Sequence, residues 1–200
     1  MLKSSKKFMP TYIIIALNIA VYIQTSILGG SFLETSDLVL VKYGQFNFLV
    51  MHGWYWQLFT AMFVHVNAMH LLGNMFFLLI FGLRAEEIFD IKEYLLIYFL
   101  SGLAGNLLTL LLGPEMISAG ASGAIFGMFG AVTIYLRRAI GQSIIGALFF
   151  SLFLLLISSG AGVNVLAHLG GLVVGLLIGY ALVANRQIKT QYQVRYSYST

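Results

Sequence analysis

The chain has 200 residues, of which 60% are hydrophobic and 9% are charged, with 11 Lys and Arg against 7 Asp and Glu. Soluble globular domains carry about 25% charged residues, so this composition excludes an ordinary soluble enzyme and predicts a protein that folds in lipid. The absence of cysteine excludes disulfides, thiolate metal ligands and a cysteine nucleophile.

Long segments free of Asp, Glu, Lys and Arg predict membrane-spanning helices, because crossing ~30 Å of hydrocarbon takes about 20 residues at 1.5 Å each. In chain order, the six predicted spans are Pro10–Leu28, Met62–Leu83, Tyr94–Leu112, Ile117–Leu136, Ile140–Ile157 and Val163–Ala184. We therefore predict an all-α membrane protein, folded as a bundle of six transmembrane helices.

The segment between the first two spans, Tyr43–Phe59, carries too many polar residues to be a span itself. It includes Trp54, Tyr55 and Trp56. Because Trp and Tyr favour the headgroup level of a membrane, we predict that this segment is an interfacial first loop.

The basic residues test the number of spans. With six helices both chain ends lie on one side, and ten of the 11 Lys and Arg fall there, leaving only Lys42 on the other. Since Lys and Arg concentrate on the cytoplasmic side, we predict cytoplasmic segments at residues 1–9 and 186–200 around a membrane domain at residues 10–185. This asymmetry explains the net charge of +4 without nucleic-acid binding. The small size suggests a bacterial inner or plasma membrane.

Three polar side chains fall at one predicted depth in the membrane. Ser122 lies near the outer end of the fourth span, His70 near that of the second and His168 near that of the sixth. At 1.5 Å per residue, all three would lie roughly 10 Å below the outer surface. Polar groups inside a membrane are costly, so we interpret these residues as a functional site that opens to the outer face.

Glycines on the fourth and sixth spans recur every three or four residues, which lets helix backbones approach closely. These glycines are Gly123, Gly127, Gly130, Gly171, Gly175 and Gly179. His168 shares a helix face with Gly171 and Gly175. If the two spans meet along these stripes, Ser122 faces His168.

A serine beside a histidine is typical of acyl transfer, because an imidazole within about 3 Å can take the hydroxyl proton. Every Asp and Glu lies outside the predicted spans, so the sequence predicts a dyad of Ser122 and His168 without a carboxylate. The predicted oxyanion donors are His70, Asn74 and the backbone N–H of Ser122. No cofactor is expected, and His65 and His70 would point in different directions on a helix, which disfavours a metal site.

Several motifs resemble the rhomboid family of intramembrane serine proteases over about residues 50 to 180. They are Gly120-Ala121-Ser122-Gly123, Ala167-His168-Leu169-Gly170-Gly171 and His70-Leu71-Leu72-Gly73-Asn74. The resemblance implies a Ser122–His168 dyad, with an oxyanion hole of His70, Asn74 and the Ser122 amide. It also implies membrane-protein substrates that are cut near the outer end of a transmembrane helix.

Three positions depart from the common pattern of this family. Gln57 stands after Trp56 where Arg is frequent, and Asp90 stands where Gly is common. Phe126 replaces a Tyr that stacks on the catalytic histidine in many bacterial members. Because Phe126 keeps the aromatic ring, we expect it beside His168 in the substrate-binding site.

Two other functions fit parts of the sequence. A noncatalytic rhomboid-like protein would bind membrane proteins without cutting them, but it would normally have lost Ser122 or His168. A small transporter or channel would explain polar residues among the helices, but the sequence has neither a charge within the spans nor a two-fold repeat. The sequence therefore favours the protease.

Overall fold

A computed structural model describes residues 9–141, 143, 145–146, 149–150, 153, 164–184 and 186. Its helices are α1 (Pro10–Gly29), α2 (Asp37–Tyr43), α3 (Asn47–Met51), α4 (Gln57–Thr60), α5 (Ala68–Ile88), α6 (Ile91–Thr109), α7 (Ser122–Ile140) and α8 (Val165–Ala184). A 3₁₀ turn, Leu110–Leu112, continues α6. Two short strands, β1 (Gln45–Phe46) and β2 (Ile117–Ser118), pair antiparallel.

Four helices are long and apolar enough to cross a membrane: α1, α5, α6 with its 3₁₀ turn, and α8. The chain is therefore an all-α, multi-pass membrane protein. Helix α7 is less apolar, but every residue from 123 to 133 is buried. Because the other helices shield α7 from lipid, it needs a less apolar surface than they do.

Two predicted spans begin later than expected. The second starts at Ala68 rather than Met62, because the Asn67 side chain accepts a hydrogen bond from His70 N (2.7 Å) and so caps the helix. The fourth starts at Ser122, because the preceding residues form β2 and a sharp turn. The predicted fifth span, Ile140–Ile157, falls mostly outside the described residues, so the count of six helices stays a prediction.

Residues 30–67, which we call the first loop, connect α1 to α5 and contain no membrane span. Gln57 is fully buried; its amide donates to the Val41 carbonyl (2.7 Å) and accepts from Phe46 N (2.9 Å). Asn47 donates to the carbonyl of Thr109 at the end of α6 (2.9 Å). Buried amide side chains thus satisfy backbone groups that no helix or sheet pairs.

One end of the bundle, which we call the charged end, contains the first residues of α1 and α6 and the last residues of α5, α7 and α8. Three contacts tie these termini together: Thr11 N to the Glu86 carboxylate, Arg186 to the Glu93 carboxylate, and Arg138 to the Val183 carbonyl. The opposite end, where α5, α7 and α8 begin, is the site end.

Helices α7 and α8 pack with their backbones in contact. A Cβ added to Gly171 would overlap the carbonyl oxygen of Gly123, and one added to Gly175 would overlap that of Gly127. The glycine stripes predicted from the sequence therefore lie at the α7–α8 contact. Helix α6 joins this core, since a Cβ at Gly105 would overlap the carbonyl oxygen of Ala167.

Candidate active site

Ser122 is the first residue of α7, at the site end of the bundle. The preceding turn depends on Gly120, whose φ of 134° is strained for any residue with a side chain. Gly120 N donates to the Ala61 carbonyl (2.9 Å), which holds the turn against the first loop. As the first residue of a helix, Ser122 keeps a backbone N–H that no turn of α7 can pair.

His168 lies in the first turn of α8, with 4% of its surface exposed. Its Nε2 is 2.7 Å from Ser122 Oγ, a hydrogen-bond distance. The close backbone packing of α7 against α8 sets this distance, because both residues stand at the start of their helices, next to the glycine contacts. The sequence predicted this pairing from the glycine stripes.

Asn164 fixes the start of α8 and was not predicted from the sequence. Its side-chain oxygen accepts from Ala167 N (3.0 Å), while its amide donates to Thr109 Oγ1 (2.5 Å) and Ser118 Oγ (2.9 Å). The side chain therefore ties α8 to the end of α6 and to β2, one turn before His168. An Asn directly before an apolar helix is a recognisable N-cap signal.

Phe126 stacks on the His168 ring, with centroids 4.6 Å apart and planes inclined by 19°. It lies one turn after Ser122 on α7, so the same helix supplies the hydroxyl and the aromatic surface beneath the imidazole. The stacking restricts rotation of the imidazole and keeps Nε2 directed at Ser122. The ring is thus where the sequence predicted it.

His70 and Asn74 lie in the first turns of α5, close to the turn before Ser122. A Cβ at Gly120 would be 2.7 Å from Cε1 of the His70 ring, so only a glycine fits beside this histidine. Asn74 donates one amide hydrogen to the His70 carbonyl (2.9 Å), which leaves the second hydrogen of the amide for another acceptor. The structure therefore brings His70 to the backbone next to Ser122.

His65 supports His70 from the first loop rather than from a helix. The two rings are 5.3 Å apart in an edge-to-face arrangement, and His65 is fully buried. Burial lowers the pKa of His65 to about 3, so its imidazole is neutral at physiological pH. Among the residues that the structure describes, no group of three or more His, Asp or Glu could hold a metal ion.

Carboxylate side chains do not contribute to the described part of this site. None of the seven Asp and Glu residues is buried; they lie in loops and at helix ends. The described part of the site therefore consists of polar side chains without a carboxylate, together with the phenyl ring of Phe126. Such a set can polarise a hydroxyl and donate hydrogen bonds without placing a fixed charge at membrane depth.

Two of the departures from the family pattern have clear structural roles. Gln57, in place of an Arg, anchors the first loop through its own amide. Asp90 caps α6: its carboxylate accepts from Lys92 N (2.9 Å) and Glu93 N (3.0 Å), and the Glu93 side chain accepts from Asp90 N (2.9 Å). This reciprocal capping box explains how an Asp serves at the turn between α5 and α6.

The fold and site thus define a helical multi-pass membrane protein with a Ser–His pair at one end of its bundle. A family model described as the Rhomboid domain matches residues 52–185. The chain belongs to the rhomboid family.

Curated relatives support the same family. The chain is 37% identical over 164 residues to "RHOMBOID-like protein 6, mitochondrial" of Arabidopsis thaliana (78% of this chain, 53% of the relative). It is 34% identical over 186 residues to "Rhomboid protease GluP" of Bacillus subtilis (86% and 34%). It is 34% identical over 147 residues to "Rhomboid-like protease 3" of Toxoplasma gondii (67% and 53%). The chain spans about half or less of the length of these relatives.

Proposed function

We propose that this chain is an intramembrane serine endopeptidase that cuts transmembrane segments of other membrane proteins, with Ser122 as nucleophile and His168 as general base. The observation that carries the proposal is the 2.7 Å separation of Ser122 Oγ and His168 Nε2. A serine hydroxyl becomes nucleophilic when an adjacent imidazole takes its proton. The relatives from Bacillus subtilis and Toxoplasma gondii are both named as proteases, which adds support.

The reaction begins when His168 Nε2 takes the proton from Ser122 Oγ as this oxygen attacks the carbonyl carbon of the scissile peptide bond. The carbonyl oxygen becomes an oxyanion. When the tetrahedral intermediate collapses, the imidazolium gives its proton to the leaving amine and the C–N bond breaks, which leaves an acyl-enzyme on Ser122. A water molecule, activated by the same imidazole, then hydrolyses this ester and restores the hydroxyl.

In this proposal, three donors stabilise the oxyanion. The backbone N–H of Ser122 points out of the start of α7, and the positive end of the helix dipole favours negative charge there. His70 and the free amide hydrogen of Asn74 complete the set from α5. Removing one such donor typically lowers kcat by about 10²–10³.

The imidazole of His168 is oriented without a carboxylate in this mechanism. Phe126 stacks on one face of the ring, and Asn164 fixes the helix turn that carries it. These contacts supply the orientation that an Asp supplies in a triad. Phe126 also borders the site where the substrate chain binds.

The substrates in this proposal are membrane proteins whose transmembrane helix unwinds near the site end of the bundle. Backbone hydrogen bonds shield the scissile carbonyl of a stable helix, so Gly or Pro near the cut favours cleavage. The site end faces outward and both chain termini are cytoplasmic, since the basic residues outside the first loop concentrate at the charged end. The proposed location is a plasma or bacterial inner membrane.

The test uses the purified full chain in liposomes with a panel of single-span substrates. We expect wild-type protein to cut at least one substrate, and Ser122→Ala and His168→Ala to fall to background. A fluorophosphonate probe should label wild-type protein at Ser122, as read by mass spectrometry, and should leave Ser122→Ala unlabelled.

The melting temperature of each variant is the control for folding. Cleavage by Ser122→Ala at the wild-type rate would refute the mechanism. Absence of both cleavage and labelling in well-folded wild-type protein would instead favour a noncatalytic rhomboid-like binding protein.

A further inference from the structure

A cavity of about 500 Å³ opens between the last turns of α7 and α8, at the charged end of the bundle. Its basic lining consists of Arg137 and Arg138, and its walls include Ile134, Tyr180 and Val183. No acidic residue lines it among the residues that the structure describes. We call it the arginine cavity.

The two arginines of this cavity differ from the other arginines in the described part of the chain. Arg84 pairs with Glu87, and Arg186 pairs with Glu93. Within the residues that the structure describes, Arg137 and Arg138 form no ion pair. Two adjacent positive charges without a carboxylate partner are therefore available to an anion from outside the chain.

Arg138 is held in place before any ligand arrives. Its Nη1 donates to the Val183 carbonyl (2.6 Å) and to the Ala184 carbonyl, the last two residues of α8. Within the described residues, its Nη2 and Nε groups form no hydrogen bond, so these N–H groups can donate to an anion in the cavity. A preformed donor loses little conformational entropy when it binds.

The position of the cavity identifies a lipid as the source of the anion. Both arginines follow the buried stretch of α7, just after the end of the fourth span predicted from the sequence, and headgroups are expected at the ends of a span. Tyr180 is 67% exposed on α8 and offers a ring to acyl chains and a hydroxyl to the interface. The half-buried Ile134 adds an apolar surface to the cavity, which a soluble anion would not contact.

We propose that the arginine cavity binds one anionic glycerophospholipid from the leaflet at the charged end. The phosphodiester accepts hydrogen bonds from Arg137 and Arg138, and the first carbons of an acyl chain lie against Ile134 and Tyr180. Basic pockets between transmembrane helices are suited to anionic headgroups, and guanidinium groups match phosphate geometry. The cavity lies at the opposite end from Ser122, so this site is independent of the proposed protease chemistry.

The test measures lipid binding to the full chain in detergent micelles by native mass spectrometry, with phosphatidylglycerol and phosphatidylcholine titrated separately. We expect phosphatidylglycerol to bind wild-type protein at least about fivefold more tightly than phosphatidylcholine. Arg137→Gln should lower phosphatidylglycerol affinity by about fivefold, and Arg137→Lys by less. The matched control, Arg84→Gln, removes the same charge outside the cavity and should change affinity less than twofold.

Three results would overturn the proposal. They are equal affinity of wild-type protein for the two lipids, equal losses in Arg137→Gln and Arg84→Gln, and displacement of phosphatidylglycerol by millimolar inorganic phosphate. The Arg137 side chain is exposed and forms no hydrogen bond within the described residues, so Arg137→Gln should fold. An unchanged melting temperature in lipid-free micelles checks this.

Discussion

The first loop and the α6–α7–α8 core are stabilised in opposite ways, although both border Ser122 and His168. In the first loop, buried amide side chains such as Gln57 and Asn47 satisfy backbone groups of an irregular chain. In the core, glycines of α7 and α8 lack side chains where the two helices meet, so backbone packs on backbone there. Irregular backbone at membrane level requires internal hydrogen bonds, whereas regular helices require only a close approach.

The largest effect should come from disrupting the core at Gly175. Gly175→Val places a branched side chain where the carbonyl of Gly127 already lies, so α7 and α8 must separate. We expect a loss of about 3 kcal/mol or more in the free energy of unfolding, measured by denaturant titration in micelles. The matched control is Gly73→Ala on α5, where a Cβ meets open space. Gly73→Ala should be neutral or stabilising by up to about 1 kcal/mol, and equal losses in the two variants would contradict the packing argument.

A somewhat smaller loss should follow when the first loop is disrupted. Gln57→Ala removes hydrogen bonds to the Val41 and Lys42 carbonyls and leaves the half-buried Phe46 N without its acceptor. We expect destabilisation of about 2–3 kcal/mol, read from the melting temperature and from faster proteolysis within the loop. Gln24→Ala, an exposed glutamine on α1, is the control and should stay within about 0.5 kcal/mol of wild type. An equally small effect at Gln57 would mean that its amide is dispensable.

Phe126 lies in the core beside His168, and its contribution should appear in the rate of cleavage. Phe126→Leu keeps an apolar side chain of similar reach but removes the ring that stacks on His168. On the proposed mechanism, kcat for a single-span substrate should fall roughly tenfold, which is about 1.4 kcal/mol. Phe126→Tyr keeps the ring and should stay within about twofold of wild type. If Phe126→Leu cuts as fast as wild type, stacking does not orient the imidazole.

The smallest effect is expected far from the site, at the turn between α5 and α6. Asp90→Ala removes the side chain that caps α6 and should cost about 1 kcal/mol of stability. Asp90→Gly, the residue common in the family, should cost only a few tenths of a kcal/mol. Thermal unfolding of both variants tests this order, and the reverse order would show that the capping box is unimportant here.

Much of the core was predictable because its determinants are local in sequence. Glycine spacing on the fourth and sixth spans indicated the α7–α8 contact, and span counting placed Ser122, His70 and His168 at one depth. The structure has these stripes in contact and Ser122 beside His168.

Helix boundaries and the first loop were less predictable, because long-range contacts decide them. Asn67 ends the loop by capping α5, although apolar residues from Met62 onward favoured an earlier start. The strand pair of Gln45–Phe46 with Ile117–Ser118 joins segments about 70 residues apart, which no local pattern indicates. The cap that Asn164 provides for α8 has a local signal, but its ties to Thr109 and Ser118 involve two other segments and have none.

The backbone contact between α7 and α8 has a mechanical consequence. No side chain separates the Gly123 carbonyl from Gly171, so nothing compressible lies between the two helices beside the dyad. A change in bilayer thickness should therefore tilt the two helices together, as one stiff unit, rather than lengthen the bond between hydroxyl and imidazole. The separation of Ser122 and His168 is therefore set by rigid peptide groups and should not change with bilayer thickness.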